Sequence, residues 1–433
     1  MSLKRYAVCG VSSRAVGMYI KPICTKYRDL AQVVGMLDID PKRFEFCNEY
    51  VPESKGIPCY NENEFEKMIE ETRPDAILVV CMDCHHVDYI LKGLAHDLEV
   101  VTEKPMTTNT EDAIRVREAE KRSKGHVICT FNYRYNPIHT KVRDMVFSGK
   151  VGRVTHVDLT WYVDIHHGSS YFNRWNRMRE NSGSLSIHKS SHHFDLVNWW
   201  IDGIPEKVHA FGALNHYGPN GPFNPAKDTD GRFCSECPYM MQCKYRARWC
   251  TRATTIPSND DHLKFFSGAM NKYTNYRPEM CIYDKAINIY DTFVANVKYR
   301  NGALLNYSCN FSTPYEGYRL AINGTHGRIE TMEYGGEAGK DIPNLNGPTK
   351  EQFIDYFPIF EGRERISVPL SSGAHGGGDP RLLEDLILGE DPNRKFDILA
   401  KSVDGLRAIS IGDAVYRCIH DECGERDLRS FME

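Results

Sequence analysis

The 433-residue sequence lacks the features of a membrane or secreted protein. It contains no run of about 18 apolar residues, which excludes a helix that spans a bilayer. The apolar stretch at residues 7–11 is too short for a signal peptide and leads directly into a turn. The formal net charge is only −4, so we expect neither nucleic acid nor a membrane as a partner. These absences favour a soluble protein of the cytoplasm.

The cysteine pattern does not favour a disulfide framework. The 15 cysteines are an odd number, and Cys9, Cys81 and Cys129 lie in predicted core strands, which suits a reducing compartment. An irregular segment at about residues 212–261 contains a C-x2-C-x5-C-x6-C spacing formed by Cys234, Cys237, Cys243 and Cys250. Four thiolates could hold a structural zinc ion. The alternatives are an iron–sulfur cluster, whose usual spacing differs, and reduced cysteines that pack as small apolar residues.

The N-terminal region shows a strand–turn–helix pattern that is typical of dinucleotide binding. An apolar strand at residues 6–9 precedes a turn at residues 10–15, which has the pattern G-x-S-x-x-A in place of G-x-G-x-x-G. A second strand at residues 33–37 ends in Asp38, where an acid would bind a ribose 2′-hydroxyl. A carboxylate there repels a 2′-phosphate, so NAD is favoured, with NADP as the alternative because Arg43 is close in sequence. Asp38 could instead be an ordinary turn or cap residue.

Three more apolar runs continue the strand pattern. They lie at residues 75–81, 98–102 and 127–131 and are separated by helical patterns. This alternation predicts an α/β fold with a doubly wound parallel sheet. The chain is longer than one domain usually is, so we expect a second domain.

Glu103-Lys104-Pro105 directly follows one of these predicted strands. The carboxyl ends of parallel strands border the crevice in which open α/β sheets bind ligands. A half-desolvated ammonium at that position can have its pKa lowered enough to exchange protons near neutral pH. The alternative is a surface lysine before a proline that starts a helix.

Residues 183–200 predict a helix that begins near His188. His188, His192 and Asp195 lie at i, i+4 and i+7 and would share one face. Asp195 could orient His192 and raise its basicity, which would make His192 a general acid or base. Two alternatives stay open. His192 could be a satisfied core residue, or the histidines could bind a metal, although Lys189 stands where a zinc-protease motif has glutamate.

Aromatic and polar residues are mixed in the segments around Tyr162 and Trp175. Such a mixture suits a sugar, whose C–H faces pack on rings while its hydroxyls form hydrogen bonds, so both residues are predicted substrate contacts. The alternative is that the aromatic rings pack between helix and sheet. The glycine-rich segment 374–380 could close over the substrate with His375 as a contact, or form an ordinary turn capped by Asp379.

These motifs together resemble the Gfo/Idh/MocA oxidoreductase family, the glucose–fructose oxidoreductase and inositol dehydrogenase group. The resemblance is carried by residues 10–15, Asp38, residues 83–86, 103–105, 132–137 and 183–195, and by a strand pattern after residue 292. It implies an N-terminal Rossmann domain at residues 1–135 and a C-terminal α/β domain at residues 136–433 with a large, mostly antiparallel sheet. The outer face of that sheet often supports oligomers in the family, so a homo-oligomer, a dimer or a tetramer, is expected.

The resemblance also implies roles for individual residues. Lys104 would hydrogen-bond the reacting hydroxyl and His192 would relay its proton. Many members carry aspartate where this chain has His188, so His188 could replace that aspartate as an acid–base group or contact the substrate. The cofactor would lie along Gly10, Ser12, Ser13, Arg14, Asp38, Met82, Asp83, His86, Glu103, Lys104, Asn132 and Arg134.

Three hypotheses for the function follow. The first is an NAD-dependent oxidoreductase that transfers hydride between nicotinamide and a hydroxyl carbon of a sugar, polyol or carbohydrate derivative. The second is an NAD-dependent glycosidase or lyase that uses transient oxidation followed by elimination. The third is a non-catalytic sensor that binds the cofactor, against which the presence of both Lys104 and His192 argues.

Overall fold

The computed structural model of the chain describes residues 3–226, 230–245, 279–335, 351–371, 374–422 and 424–432. Within these residues, two β-sheets organise the fold. None of the described helices combines the length and the apolarity needed to cross a membrane.

The first sheet has seven strands and carries the N-terminal sequence patterns. Its strands are β1 (Lys4–Cys9), β2 (Ala31–Leu37), β3 (Cys59–Tyr60), β4 (Ala76–Val79), β5 (Glu99–Thr102), β6 (Val127–Cys129) and β15 (Ala400–Lys401). The spatial order is β15-β6-β5-β4-β1-β2-β3. Strands β1 to β6 pair in parallel, and β15 pairs antiparallel with β6. The predicted doubly wound parallel sheet is confirmed, and its seventh strand comes from the far end of the chain.

Helices connect and flank these strands. A π-helical turn, Ala15–Ile20, runs into α1 (Lys21–Cys24), and it is followed by α2 (Lys42–Tyr50), α3 (Phe65–Thr72), α4 (His86–Ala95) and α5 (Thr110–Glu120). Strand β4 is buried along its whole length, as are the last four residues of β1. Continuous apolar runs are expected of parallel strands whose two faces are both covered.

The second sheet has nine strands, which are mostly antiparallel. They are β7 (Val154–Asp164), β8 (Pro205–Ala213), β9 (Thr292–Tyr299), β10 (Leu304–Thr313), β11 (Glu316–Gly324), β12 (Gly327–Gly335), β13 (Glu351–Pro358), β14 (Glu364–Pro369) and β16 (Arg426–Asp427). The order is β14-β13-β12-β11-β7-β10-β9-β8-β16, with β10 and β7 in parallel. The predicted large antiparallel sheet of the second domain is therefore confirmed.

The remaining helices lie between or beside the two sheets. They are α6 (Pro137–Phe147), α7 (Ile165–Phe172), α8 (Arg179–Ser182), α9 (Leu185–His188), α10 (Ser191–Ile201), α11 (Ala374–Leu388) and α12 (Ser402–His420). Every residue of α10 is buried. The single helix predicted from His188 is wrong at its start, because His188 ends α9 and a separate helix begins at Ser191.

One row of directly paired residues crosses the second sheet on its solvent face. We call it the outer row, and it consists of Phe211, Val294, Ser308, Thr160, Arg319 and Met332. Its apolar members are exposed: 67% for Phe211, 43% for Val294 and 52% for Met332. The opposite face of the same strands faces the core, as the alternating burial of β9 and β10 shows.

Candidate active site

The turn between β1 and the first helix is fitted closely to the neighbouring strand end. Gly10 has φ +96°, and a Cβ added there would lie 2.6 Å from the backbone of Cys81. Only glycine satisfies both the left-handed conformation and this close approach. The prediction that Gly10 makes the tight turn is thus supported by the geometry.

Ser12 caps the helix that follows this turn. Its hydroxyl accepts a hydrogen bond from the Ala15 amide at 3.2 Å and donates one to the Val80 carbonyl oxygen at 3.0 Å. The first amides of a helix have no intrahelical partner, so those of Ser13 and Arg14 remain available to an anionic group such as a pyrophosphate.

Asp38 lies at the end of β2 with a side chain that is 6% exposed. Its carboxylate accepts hydrogen bonds from the Val11 amide at 2.7 Å and the Asp40 amide at 2.9 Å, and Arg43 Nε lies 3.7 Å away. Burial raises the pKa of Asp38, while Arg43 and the two amides oppose that shift. The carboxylate therefore lies directly beside the dinucleotide-type turn, as a ribose-binding acid would.

The turn after β4 connects the sheet to the Lys104 segment through His86. Its Nδ1 lies 2.8 Å from the Pro105 carbonyl oxygen and its Nε2 lies 3.2 Å from the Cys81 carbonyl oxygen. Met82 and Asp83 occupy the same turn, where Asp83 is buried. Both ring nitrogens of His86 are thus engaged by backbone, so its observed contacts position this turn against residues 103–105.

A cluster of charged and polar side chains joins the two domains beside this turn. Arg14 donates to Glu103 Oε1 at 2.6 Å and to Asp379 Oδ2 at 2.6 Å. Asn132 donates to the other Asp379 oxygen at 2.5 Å, and His375 Nδ1 lies 3.1 Å from Asp379. Asp379 therefore holds the glycine-rich segment against the first domain and is more than a local turn cap.

Lys104 points from the end of β5 toward the second domain. Its Nζ donates to the His188 carbonyl oxygen at 3.0 Å. Burial lowers the pKa of Lys104 to about 8, with Asp83 opposing the shift and Lys189 adding to it. A lysine in this state exchanges protons near neutral pH. Lys104 is half-buried, and its peptide bond to Pro105 is cis.

His188 links the two domains through a buried carboxylate–imidazole pair. Its Nδ1 lies 2.5 Å from Asp83 Oδ2, and its Nε2 lies 3.1 Å from Asn176 Nδ2. These partners assign the proton to Nδ1, which donates to the carboxylate, while Nε2 accepts from the amide. Burial lowers the pKa of His188, and the charges of Lys104 and Arg174 lower it further. Burial also raises the pKa of Asp83 to about 7.

His192 lies one turn further along, at the start of α10, and is 2% exposed. Its ring stacks on Tyr133 with a centroid distance of 4.3 Å and an interplanar angle of 12°. Burial lowers the pKa of His192, and the charges of Lys104 and His375 lower it further. Nδ1 is buried and has no hydrogen-bond partner among the described residues. The structure therefore brings Lys104, His188 and His192 together in one cleft.

The expected hydrogen bond between Asp195 and His192 is wrong. The carboxylate of Asp195 instead accepts two hydrogen bonds from Arg134, at 2.8 and 2.6 Å. Arg134 is itself 2% exposed and also lies 3.3 Å from Asp404. Since its guanidinium is occupied in this way, Arg134 holds α10 through Asp195. It does not extend toward the cofactor, as had been predicted.

The predicted substrate contacts divide into two groups. Trp175 and His375 lie at the cleft: their rings are 5.5 Å from His188 and 5.6 Å from Tyr133, respectively. Tyr162 does not, because alternation along β7 places it on the opposite face from the buried Trp161, where it packs on Tyr315 at 5.6 Å. The prediction for Tyr162 is therefore wrong.

Sequence reasoning missed two aromatic residues and a cation of the cleft. Tyr133 stacks on His192, Tyr171 lies 5.5 Å from His188, and Lys189 Nζ donates to the Tyr133 hydroxyl at 3.2 Å. Tyr133 lay within the 132–137 motif, but its role depends on packing between domains. Lys189 belongs to no sequence motif that predicts a binding role.

The structure does not support the predicted metal sites. Cys250 lies outside the described residues, and within them no group of three or more histidine, cysteine or acidic side chains is placed to hold a metal ion. Cys234, Cys237 and Cys243 line a small pocket together with Cys281, a residue that the sequence spacing did not include. Structural zinc and a histidine metal site are both left without support.

Two family descriptions match the sequence, and together they cover most of the chain. Residues 4–131 match "Oxidoreductase family, NAD-binding Rossmann fold", and residues 143–422 match "Oxidoreductase family, C-terminal alpha/beta domain". These spans correspond to the two sheets with two exceptions: β15 lies in the second span but pairs in the first sheet, and β16 lies beyond the second span.

Individual relatives agree with these matches. YteT of Bacillus subtilis (strain 168), a protein named as an oxidoreductase, is 48% identical over 420 residues, which is 97% of each chain. The inositol 2-dehydrogenase of Rubrobacter xylanophilus is 28% identical over 42% of this chain and 48% of its own. The solved structure of the Bordetella pertussis WlbA dehydrogenase, in complex with NADH and UDP-GlcNAcA, has a TM-score of 0.63, 17% identity and 99% coverage of both chains. That last likeness shows the shared fold.

Proposed function

Because this chain belongs to the Gfo/Idh/MocA oxidoreductase family, we propose that it transfers hydride between NAD and a hydroxyl carbon of a sugar, polyol or related carbohydrate derivative, with Lys104 and His192 in proton transfer. The observation that carries the proposal is the buried Lys104 amine. Burial lowers its pKa to about 8, and it lies near the half-buried His188 and the buried His192.

The residues beside this cleft fit a dinucleotide. Gly10 lies too close to Cys81 for a Cβ, as expected of a turn whose backbone approaches a pyrophosphate, and the amides of Ser13 and Arg14 begin a helix. The buried carboxylate of Asp38 suits ribose hydroxyls and disfavours a 2′-phosphate, which supports NAD over NADP. When bound, NAD accepts or supplies the hydride.

The protein's own side chains would then manage the proton. The neutral Lys104 amine accepts the proton of the reacting hydroxyl, or as an ammonium returns it in the reverse direction. His192 is neutral because it is buried, so it can pass that proton on. The Asp83–His188 pair fixes the peptide whose carbonyl oxygen holds Lys104 Nζ, which keeps the amine oriented.

The proposed substrate class rests on the relatives and on the wall of the cleft. The Rubrobacter xylanophilus relative is an inositol 2-dehydrogenase, and inositol is a polyol; the WlbA dehydrogenase structure contains UDP-GlcNAcA, a nucleotide sugar. Tyr133, Tyr171 and Trp175 provide rings, and Asn176 provides an amide, which together suit a molecule with C–H faces and hydroxyls.

Substitution of Lys104 and His192 tests the proposal. We expect Lys104→Ala and His192→Ala each to lower kcat by about two to four orders of magnitude, since each removes an acid–base group, with little change in the Kd for NAD. Turnover is followed by NADH absorbance on a panel of sugars and polyols, and NAD binding by fluorescence titration. Lys67→Ala, at an exposed lysine of α3, is the control.

Two outcomes would contradict the proposal. Equal losses of turnover and NAD affinity would mean that Lys104 and His192 hold the fold rather than move protons. Glycoside cleavage without net NADH would instead identify the redox-neutral elimination reaction.

A further inference from the structure

Lys189 places a second ammonium in the cleft. It follows His188 directly, is 4% exposed, and its Nζ donates to the Tyr133 hydroxyl at 3.2 Å. Within the described parts of the chain, no carboxylate oxygen lies within 4.0 Å of this Nζ. A buried charge without a counter-ion is costly, and proteins normally pair it.

The nearest acid on that side of the cleft, Glu316, already pairs with a histidine. Both carboxylate oxygens of Glu316 lie 3.0 Å from Nδ1 of His167, and His167 Nε2 lies 2.7 Å from the Tyr171 hydroxyl. Although burial opposes it, the charges of His167 and Lys189 lower the pKa of Glu316, so this carboxylate stays ionised. Glu316 thus forms part of the wall, and its closest partner is an imidazole rather than the Lys189 ammonium.

Several cations act on the His188 imidazole beside Lys189. Lys104, Lys189 and Arg174 all act on the His188 imidazole, and the pKa of His188 is lowered by burial first and by these three cations after it. Residues near Lys189 reach the solvent: the side chains of His167, Glu316 and His375 are 38%, 25% and 35% exposed. An anion that enters here reaches a cation that has no carboxylate within ion-pair distance among the described residues, although Glu316 acts on it from farther away.

We propose that the Lys189 ammonium binds the carboxylate of an acidic sugar, so that the substrate is a sugar acid such as a uronate rather than a neutral sugar. This inference rests on the proposed function for its site, but it concerns binding and not the hydride step. A single ammonium beside a tyrosine hydroxyl matches a monoanion. A phosphate dianion would call for more donors.

Equilibrium binding tests the carboxylate directly. The full-length protein with NADH bound cannot oxidise a sugar, so calorimetric titration measures sugar affinity without turnover. Glucuronate and galacturonate are compared with glucose, galactose and galactose 6-phosphate. We expect the uronates to bind roughly 30-fold more tightly than the neutral sugars, the lower end of what truncating one partner of a buried charge pair costs.

Variants of Lys189 assign that preference to the ammonium. Lys189→Met keeps the length of the side chain and should reduce the ratio of uronate to neutral-sugar affinity to near one, whereas Lys189→Arg should retain most of it. Lys189→Gln provides a second neutral variant, and Tm and NADH binding verify folding. Lys121→Met, at a lysine that directly follows α5 and is 58% exposed, is the matched control.

Three results would overturn the inference: equal binding of neutral sugars and uronates, a preference that survives in both neutral variants, or tighter binding of the sugar phosphate. Failure of the proposed function looks different. Uronates would then bind and lose affinity in Lys189→Met, yet wild-type protein with NAD would produce no NADH. Conversely, oxidation of neutral sugars that is insensitive to Lys189 would leave the proposed function standing without this subsite.

Discussion

Asp83 and Lys104 lie close enough for each charge to shift the pKa of the other. The Asp83 carboxylate favours the ammonium form of Lys104, so Asp83→Asn should lower the pKa of Lys104 below about 8. Oxidation requires the neutral amine, and we therefore expect the rising limb of kcat/KM against pH to move to lower pH. A profile from pH 6 to 10 measures this.

Asp88→Asn, at an exposed residue of α4, which directly follows the turn that carries Asp83, is the control for the pH profile and should leave it in place. A limb that stays near pH 8 in Asp83→Asn, or that moves to higher pH, would show that Lys104 is not the titrating base.

At the residue scale, the sequence predicted Lys104, His192 and Gly10 as parts of the site because each belongs to a motif with its own physical reason. It paired Asp195 with His192, which is wrong. Spacing along a helix shows which side chains share a face, but it does not show what packs against that face. Arg134, from a distant turn, takes that carboxylate instead.

Among the elements, the turn after β1 gives the sharpest prediction. Gly10→Ala should lower the free energy of unfolding by about 2 kcal/mol and weaken NAD binding at least tenfold, because it combines a left-handed φ with a clash against Cys81. Urea unfolding and fluorescence titration measure the two effects. Gly17→Ala is the matched control: its Cβ would meet nothing within 4 Å, so stability should stay equal or rise by up to about 1 kcal/mol. Similar losses in both variants would refute the argument.

The start of α11 is tied to the first domain through Asp379, which gives a second prediction. Although burial works against it, hydrogen bonds from His375 and Arg14 hold the pKa of Asp379 well below its usual value. Asp379→Asn should therefore cost about 2 kcal/mol of unfolding free energy. The difference in unfolding free energy between wild type and Asp379→Asn should have its full size above about pH 4. It should shrink as the pH falls below the pKa of the carboxyl in the unfolded chain, because the wild-type carboxyl is then protonated as well.

Glu384→Gln is the control for this second prediction. Glu384 pairs with Lys26 at 3.1 Å on the surface, where both side chains are exposed, so its loss should cost less than about 1 kcal/mol. Equal costs for the two variants would mean that the Asp379 contacts add nothing beyond a surface ion pair.

On the scale of the whole molecule, the outer row predicts how copies of the chain associate. Its exposed apolar members lie on one sheet face, and we expect that face to form the proposed homo-oligomer. Val294→Asp combined with Met332→Asp should shift the protein to monomers in light scattering coupled to size exclusion. Phe360→Asp, at a side chain that is 97% exposed outside the row, should not. An unchanged mass in the double variant would exclude this face.

The parallel sheet was predictable because strand and helix periods are local properties of the sequence, whereas the antiparallel sheet was expected from the resemblance to the family. The seventh strand of the first sheet was not, since Ala400–Lys401 is two residues long and its partner is distant in the chain. The face on which Tyr162 lies was missed because a strand register is fixed only when its neighbours are known.

That late strand has a consequence for biosynthesis. A nascent chain that has emerged from the ribosome as far as β6 leaves the backbone amides and carbonyls of that edge exposed, and they stay so until residue 401 has also been made. Most of the cofactor-binding domain is synthesised first, but its sheet is completed only when β15 has been made. C-terminal truncations should therefore aggregate through the open edge of β6 rather than yield an isolated nucleotide-binding fragment.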